Sequence, residues 1–371
     1  MTLRGMTWDH PRAYRPLDAF GGAVWDRQSL EDFEAHPIDD LARRYDLLVI
    51  DHPGLGAARA SGALLPIDDL VDADTMHSWA ADTVGRTWAS YTVDGLQWAV
   101  PIDAATQVGA YRPDLLPTPP KSWTDVLTAA DSHRVTLCLG GPHALLGLLG
   151  MCASARDVDG VVDGAPLLDP RAALDAIDLL HRIWRVSGQQ TALGNPIAVH
   201  EALAASEDLA YCPLVYGYAS YAQPAVGAYS LRWTDAPTFG TSRRGSTLGG
   251  TGIAVSALSG ADLAEVRAFL TRFLDPAVQA GLVPAHSGQP AARTAWDDPG
   301  VDAAWGGYYS ATRSSIEQAY IRPRDAGWIA LQDEGSELVR SAIVTGSGAE
   351  QAVQFVNTEH ARLCEQRAEA R

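Results

Sequence analysis

The chain has few cysteines, and they form no recognisable motif. Cysteine occurs only at positions 138, 152, 212 and 364 of 371 residues, and no two of them make a Cys-x-x-Cys pair. Cys138 and Cys212 stand in apolar runs that look like strands, where a free thiol usually acts as a small core residue. The sequence therefore predicts no disulfide framework.

Positive charge is also scarce. The chain has 28 Lys and Arg against 45 Asp and Glu, which gives a formal net charge of −17 and a pI of about 4.9. Such an acidic surface argues against nucleic acid and anionic membranes as partners. A pocket inside the protein can still be locally basic.

Long apolar runs are missing as well. No stretch of 18 apolar residues occurs, so we expect no insertion into a membrane. The first ten residues, Met-Thr-Leu-Arg-Gly-Met-Thr-Trp-Asp-His, contain no hydrophobic signal core. As the sequence is written we expect a cytoplasmic protein, and an extracytoplasmic one if its true start lies further upstream.

Common catalytic and cofactor motifs are absent. The chain has no nucleophile elbow, HExxH or kinase signature. The glycine-rich run 246–252 lacks the lysine of a P-loop and precedes a strand, so we predict no nucleotide cofactor. The backbone N–H groups around Gly249, Gly250 and Thr251 are candidates to hold an anionic or hydroxyl group, and a tight turn into the strand is the alternative.

The composition that is present describes a globular α/β protein. Apolar residues make up 47% and charged residues 20%, and a chain of this length favours two lobes. Leu47 to Ile50 predicts a buried strand, Asp94-Gly95 a hairpin turn, and Asp169-Pro170 the start of a helix. Strands and helices alternate along the whole chain, which predicts sheets covered by helices.

Acidic and imidazole side chains follow several predicted strands. The tripeptide Asp-His-Pro occurs at 9–11 and again at 51–53, and Asp103 and His143 also follow apolar runs. Ligands of open α/β sheets bind at the carboxyl ends of strands, so we expect these residues to converge. We favour contact with a polyhydroxy or acidic ligand. Capping of loops, a metal site and acid–base catalysis are the alternatives, and we assign no metal ligand and no catalytic residue.

Aromatic and arginine side chains complete the candidate site. Aromatic rings stack on sugar faces, although core packing is the usual fate of a tryptophan. Arginines can clamp an anion, with surface salt bridges as the alternative. The predicted ligand-binding residues are Trp8, Asp9, His10, Arg12, Asp51, His52, Asp103, Gln107, His143, Tyr216, Tyr218, Gly249, Gly250, Thr251, Tyr309, Arg313 and Arg322.

Six stretches together resemble a known family. In chain order they are YDLLVIDHP (45–53), SGALLPIDDL (61–70), GLQWAVPID (95–103), AYRPDLL (110–116), PKSWTDVL (120–127) and GSTLGGTGIAVS (245–256). The series resembles the extracellular solute-binding proteins of ABC importers, particularly the sugar-type group called family 1.

The resemblance implies a periplasmic-binding-protein-like fold of type II, in which two α/β lobes close by a hinge on a ligand in the cleft between them. We place the N-terminal lobe at 1–103 with about 225–290 returning to it, and the second lobe at 104–224. A helical segment at 291–371 completes both.

The function implied is binding of a small saccharide or polar organic acid without chemistry, by a monomer that hands its ligand to an ABC permease if exported. A cytoplasmic enzyme or ligand sensor on the same scaffold is the alternative.

Overall fold

The computed structural model describes residues 2–35, 37–156, 166–187, 189–223, 228–240 and 243–369. The chain divides into two compact units. The first unit consists of Met1–Ala105, Gly249–Ala304 and Arg322–Gly327, and the second of Thr106–Leu248, Trp305–Ile321 and Trp328–Arg371.

The strands are β1 (Leu3–Trp8), β2 (Ala23–Gln28), β3 (Leu47–Ile50), β4 (Leu64–Leu65), β5 (Thr92–Val93), β6 (Leu96–Gln97), β7 (Val100–Tyr111), β8 (Arg134–Val135), β9 (Leu209–Tyr216), β10 (Arg232–Thr234) and β11 (Leu248–Ser256). The unit boundaries between residues 105 and 106 and between 248 and 249 fall within β7 and β11.

The α-helices are α1 (Pro11–Phe20), α2 (Leu30–Ala35), α3 (Ile38–Ala42), α4 (Leu55–Ala60), α5 (Ala73–Ala81), α6 (Thr87–Ser90), α7 (Trp123–Ala130), α8 (His143–Arg156), α9 (Pro170–Val186), α10 (Gln189–Ala192), α11 (Pro196–Ala205), α12 (Leu263–Phe273), α13 (Val283–Ala285), α14 (Arg293–Trp296), α15 (Pro299–Ala304), α16 (Tyr308–Ala311), α17 (Arg313–Gln318), α18 (Trp328–Thr345) and α19 (Ala349–Glu369). Short 3₁₀ turns lie at His52–Gly54, Ile67–Asp69 and Ala219–Ala222, and a π-helical turn lies at Val278–Leu282.

The first unit is built on a sheet with the order β2-β1-β3-β11. The strands β2, β1 and β3 run parallel, and β11 is antiparallel to β3. All four residues of β3 are buried, as expected for a strand covered on both faces. One side of the sheet packs on a core that includes Met6, Leu48, Ile50 and Tyr91.

The second unit has its own sheet, with the order β10-β7-β9-β8. Its helices α8, α9, α18 and α19 pack on one another. The helix α9 buries Ile177, Leu180 and Trp184 along one face, in the three- and four-residue spacing that an amphipathic helix requires.

Local sequence accounts for many of these elements. The hairpin β5–β6 turns at Asp94 and Gly95, both with positive φ, as the Asp-Gly pair predicts. Ser122 caps α7 in a capping box with Asp125, as its spacing predicts.

Two segments differ from what their sequence pattern favours. The apolar run 135–139 has the composition of a buried strand, but it forms a strand only at Arg134–Val135, because only this part finds a ladder partner on β9. The glycine-rich run leading to residue 252 is not a turn before a strand, because β11 already begins at Leu248.

Candidate functional site

Both Asp-His-Pro tripeptides follow parallel strands of the first unit. The strands β1 and β3 are paired with Met6 opposite Leu48, and they end two residues later, at Trp8 and Ile50. The residues that follow therefore leave the same edge of the sheet, which is the edge at which ligands bind in α/β folds.

The first tripeptide caps a helix. His10 is the N-cap of α1, and its Nδ1 accepts a hydrogen bond from the Arg12 backbone N–H at 3.2 Å. The imidazole also stacks on Trp8, with ring centroids 5.1 Å apart. The Asp9 side chain is 63% exposed and lies 3.8 Å from the Arg27 guanidinium. His10 therefore has the capping role that was named as an alternative, and ligand contact by Asp9 and His10 stays a prediction.

The second tripeptide is organised around the Asp51 carboxylate. Its Oδ1 accepts from the His52 backbone N–H at 2.8 Å and lies 3.1 Å from His52 Nδ1. Its Oδ2 accepts from Arg322 Nη2 at 2.5 Å. Burial opposes ionisation of Asp51, but the Arg322 charge and the His52 hydrogen bond hold its pKa at about 2. Asp51 is therefore an ionised, firmly oriented acceptor whose side chain is still 23% exposed.

His52 is a neutral, buried imidazole. It is 1% exposed, and burial together with the nearby Arg322 charge lowers its pKa from 6.5 to about 4. Because Nδ1 faces the Asp51 carboxylate, the proton of the neutral ring belongs on Nδ1. Its Nε2 has no hydrogen-bond partner among the described residues, and its ring meets Tyr91 edge-on at 6.1 Å.

A second buried ion pair joins Arg12 to Asp103. Arg12 Nε donates to Asp103 Oδ2 at 2.6 Å and Nη2 donates to Oδ1, so the pair is bidentate. Burial raises the pKa of Asp103, the Arg12 charge opposes the rise, and the Asp51 carboxylate adds to it. Two aspartates are thus matched by two arginines.

The glycine-rich run contributes close packing instead of a loop. Gly250 has a φ of 98°, and a Cβ on it would lie 2.3 Å from the Asp103 carbonyl oxygen. Gly249 precedes it in β11 and is buried. Thr251 is buried and lines, with Arg12 and Asp103, a cavity of about 10 Å³. The run therefore brings β11 against Asp103.

The other predicted residues belong to the second unit, where three of them meet. Thr247 Oγ1 donates to Gln107 Oε1 at 2.9 Å and lies 3.0 Å from the Tyr216 hydroxyl. The His143 ring meets Tyr216 at 5.7 Å. Buried hydroxyls adjoin this group, since Ser246 donates to the Gln107 carbonyl at 2.7 Å and also contacts Thr106.

The remaining three predicted residues have separate surroundings. Tyr218 packs against the buried His200, 5.5 Å between ring centroids. Tyr309 meets Tyr308 edge-on. Arg313 donates to Glu317 on the same helix at 3.0 Å, so it forms a local ion pair.

Sequence reasoning missed several polar residues next to these groups. Tyr91 donates its hydroxyl to the Ile50 carbonyl at 3.0 Å and packs on His52. Thr106 and Ser246 are fully buried hydroxyls in the second unit. Tyr91 opens the predicted hairpin, and that position is the only signal in the sequence that could have drawn attention to it.

Within the described ranges, no three His, Cys, Asp or Glu side chains are grouped so as to hold a metal ion. No helix in the described part of the chain is long and apolar enough to cross a membrane.

Residues 38–306 match the bacterial extracellular solute-binding protein family. That stretch is more than half of the chain, and this protein belongs to the family. No curated protein shows significant sequence similarity to the chain.

Solved structures show the same fold. A solute-binding protein of an ABC transporter from Agrobacterium radiobacter, in complex with ribitol, has a TM-score of 0.81 at 16% identity and covers 98% of both chains. The maltose-bound MalE3 of T. maritima has a TM-score of 0.80 at 16% identity, covering 97% of this chain and 99% of that one. A tagatose-bound solute-binding protein from Thermotoga lettingae has a TM-score of 0.78 at 15% identity, covering 97% and 99%. The predicted α/β, periplasmic-binding-protein-like fold is confirmed.

Proposed function

We propose that this solute-binding protein serves an ABC importer and binds a neutral polyhydroxy molecule, a small saccharide or sugar alcohol. Membership of the family supports the importer role. Structures of the same fold whose ligands are ribitol, maltose and tagatose support the ligand class.

The observation that carries the ligand class is the state of Asp51. Its carboxylate is ionised, partly exposed, and held by Arg322 and His52. A carboxylate has about four lone-pair sites, so Asp51 can accept further hydrogen bonds from hydroxyl groups. The groups that orient it are already in place, so a ligand does not have to order them.

The paired charges of the candidate residues disfavour an organic acid, which the sequence analysis kept as a possible ligand. Arg12 and Arg322 are both engaged with aspartates, and Arg313 is engaged with Glu317. An acidic ligand at Asp51 would meet its carboxylate and would find the Arg12 and Arg322 guanidinium groups already paired with carboxylates. A neutral hydroxylated ligand avoids that repulsion and uses Asp51 as an acceptor.

An importer role entails a membrane permease as partner, and we propose that the protein acts as a monomer outside the cytoplasmic membrane. Fractionation of cells that express the native gene tests the location. Recovery of the mature protein only in the cytoplasm would contradict it.

The ligand class is tested by a thermal-shift screen followed by calorimetry. The panel contains ribitol, mannitol, tagatose and maltose. Citrate and succinate are included to represent the alternative ligand class, organic acids. We expect a stabilising shift with at least one neutral polyol or sugar and none with the acids. Stabilisation by the acids alone would overturn the proposal.

A further inference from the structure

A cavity of about 170 Å³ lies within the first unit, in addition to the groups that surround Asp51. It is well below the roughly 300 Å³ of an ordinary drug-sized pocket, so it suits only a small molecule. Its lining residues come from α5 and the segment after it, from α6 and the start of β7, and from the end of α12 and the residues that follow. They are Ser78, Trp79, Asp82, Thr83, Trp88, Pro101, Thr271, Leu274, Asp275, Pro276, Gln279 and Ala292.

The cavity carries unbalanced negative charge. Asp82 Oδ1 accepts from the backbone N–H and hydroxyl of Thr294, and Asp275 Oδ1 accepts from the Ala277 backbone N–H at 2.8 Å. Within the described part of the chain, the Oδ2 atoms of both aspartates receive no hydrogen bond. The neighbouring Arg293 donates to the Thr83 carbonyl at 3.2 Å. No Lys or Arg belongs to the described lining.

A buried acceptor without a donor is a second, independent feature. Gln279 lines the cavity and is 1% exposed. Its Nε2 donates to the Phe273 carbonyl at 2.8 Å, whereas its Oε1 accepts no hydrogen bond among the described residues. Such a group in a folded protein calls for an explanation, and a bound donor is one. Gln279 also belongs to the π-helical turn Val278–Leu282, a rare conformation that is frequent at functional sites.

The aromatic part of the lining fits the same kind of ligand. Trp79 and Trp88 are both half-buried and both line the cavity. The face of an indole ring attracts cations more strongly than that of any other side chain. Two carboxylates, an amide oxygen and two indoles offer acceptors and π-faces, which together select a positively charged donor.

We propose that this cavity is a second binding site, specific for a small organic ammonium cation. An ammonium group would match the two carboxylates, and its N–H or polarised C–H groups would face acceptor atoms. The inference does not rest on the saccharide proposal, because it uses none of the residues around Asp51.

The test is calorimetric titration of the full chain with choline and with its neutral isostere, in which carbon replaces nitrogen. We expect choline to bind with a Kd in the range of about 0.1 to 10 mM and the isostere to bind at least about fivefold more weakly. Equal affinity for the two compounds would overturn the proposal. So would the absence of choline binding at concentrations up to about 100 mM.

Charge-neutral variants localise the site. D82N and D275N each keep an Oδ1 that can accept the existing hydrogen bonds, so both variants should fold and keep their Tm. Each should weaken choline binding about five- to tenfold. D74N is the matched control, since Asp74 is exposed on α5 and does not line the cavity. Unchanged choline binding in both D82N and D275N would show that choline does not bind in this cavity.

Polyol titrations of the same variants separate the two proposals. If D82N loses choline binding and retains polyol binding, the cavity is a distinct site. A protein that binds choline but no sugar or polyol would refute only the saccharide proposal.

Discussion

The buried imidazole of His52 makes the stability of the first unit sensitive to mild acid. Its pKa is about 4 in the folded protein, against an ordinary value of 6.5. The unfolded chain therefore binds a proton at His52 between those values and the folded chain does not. The stability that the folded protein gains from keeping His52 neutral is complete above pH 6.5, and it is lost as the pH falls towards 4.

The size of the effect follows from the two pKa values. Lowering the pH from 7.5 to 4.5 should remove about 2.5 kcal/mol of unfolding free energy through His52 alone. Asp51 adds little in this window, because its pKa is about 2 when folded and 3.8 ordinarily. Below pH 4.5 its own contribution would begin to be lost as well, so pH 4.5 is a suitable lower limit.

The assay is urea unfolding followed by circular dichroism at both pH values, for the wild type and for H52Q. We expect the loss on acidification to be about 2.5 kcal/mol smaller in H52Q, whatever its stability at pH 7.5. H77Q is the matched control, because His77 is exposed on α5, and it should behave as the wild type. Equal losses in H52Q and in the wild type would refute the assignment of a buried, neutral imidazole.

Three further substitutions test an ion pair, a close glycine contact and the apolar core of the first unit. R322M should lower the unfolding free energy measured in urea by about 3–5 kcal/mol, because it leaves the Asp51 carboxylate partly buried and unpaired. The double variant R322M/D51N should recover part of this loss. A loss below about 1 kcal/mol in R322M would contradict the pairing of Arg322 with Asp51. G250A should cost at least about 2 kcal/mol, since φ is 98° and the new Cβ would meet the Asp103 carbonyl; an unchanged urea midpoint would show that the close approach is absent. L48A should cost about 2–5 kcal/mol, because Leu48 is 0% exposed in the core, and a loss under about 1 kcal/mol would remove it from that core.

The regular elements could largely be predicted from local sequence. The strand β3 matches the apolar run 47–50, and the Asp94-Gly95 hairpin and the Ser122 cap follow directly from turn and capping chemistry. These features depend on neighbouring residues only, so the sequence pattern carries them. The resemblance to the solute-binding family then predicted the α/β architecture, which the matching structures confirm.

The partners of the polar side chains could not be predicted in the same way. Asp51 is paired with Arg322, 271 residues away, and Arg12 with Asp103, 91 residues away. No local pattern signals such a pair, because its geometry depends on how distant segments pack. The sequence places Asp9-His10 and Asp51-His52 in the same kind of position, yet the structure gives them different roles. His10 caps a helix, whereas Asp51 is held by Arg322, which is distant in the sequence.

The glycine-rich run shows a different limit. Composition alone favours a turn, since glycine is common wherever the chain bends. In the structure these glycines lie in β11, where Gly250 and Gly252 allow the backbone of β7 to approach. A glycine required for close contact cannot be told from one required for a turn until the neighbouring strand is known.

The most direct test of the central claim is calorimetric titration of the wild type and D51N with the neutral sugar or polyol that gives the largest thermal shift. D51N keeps the size of the side chain and removes its charge and half of its acceptor capacity. We expect D51N to bind at least about tenfold more weakly. The control D69N, at an exposed aspartate of the same unit, should bind as the wild type does. Equal affinity of D51N and the wild type would contradict Asp51 as the oriented acceptor for the ligand.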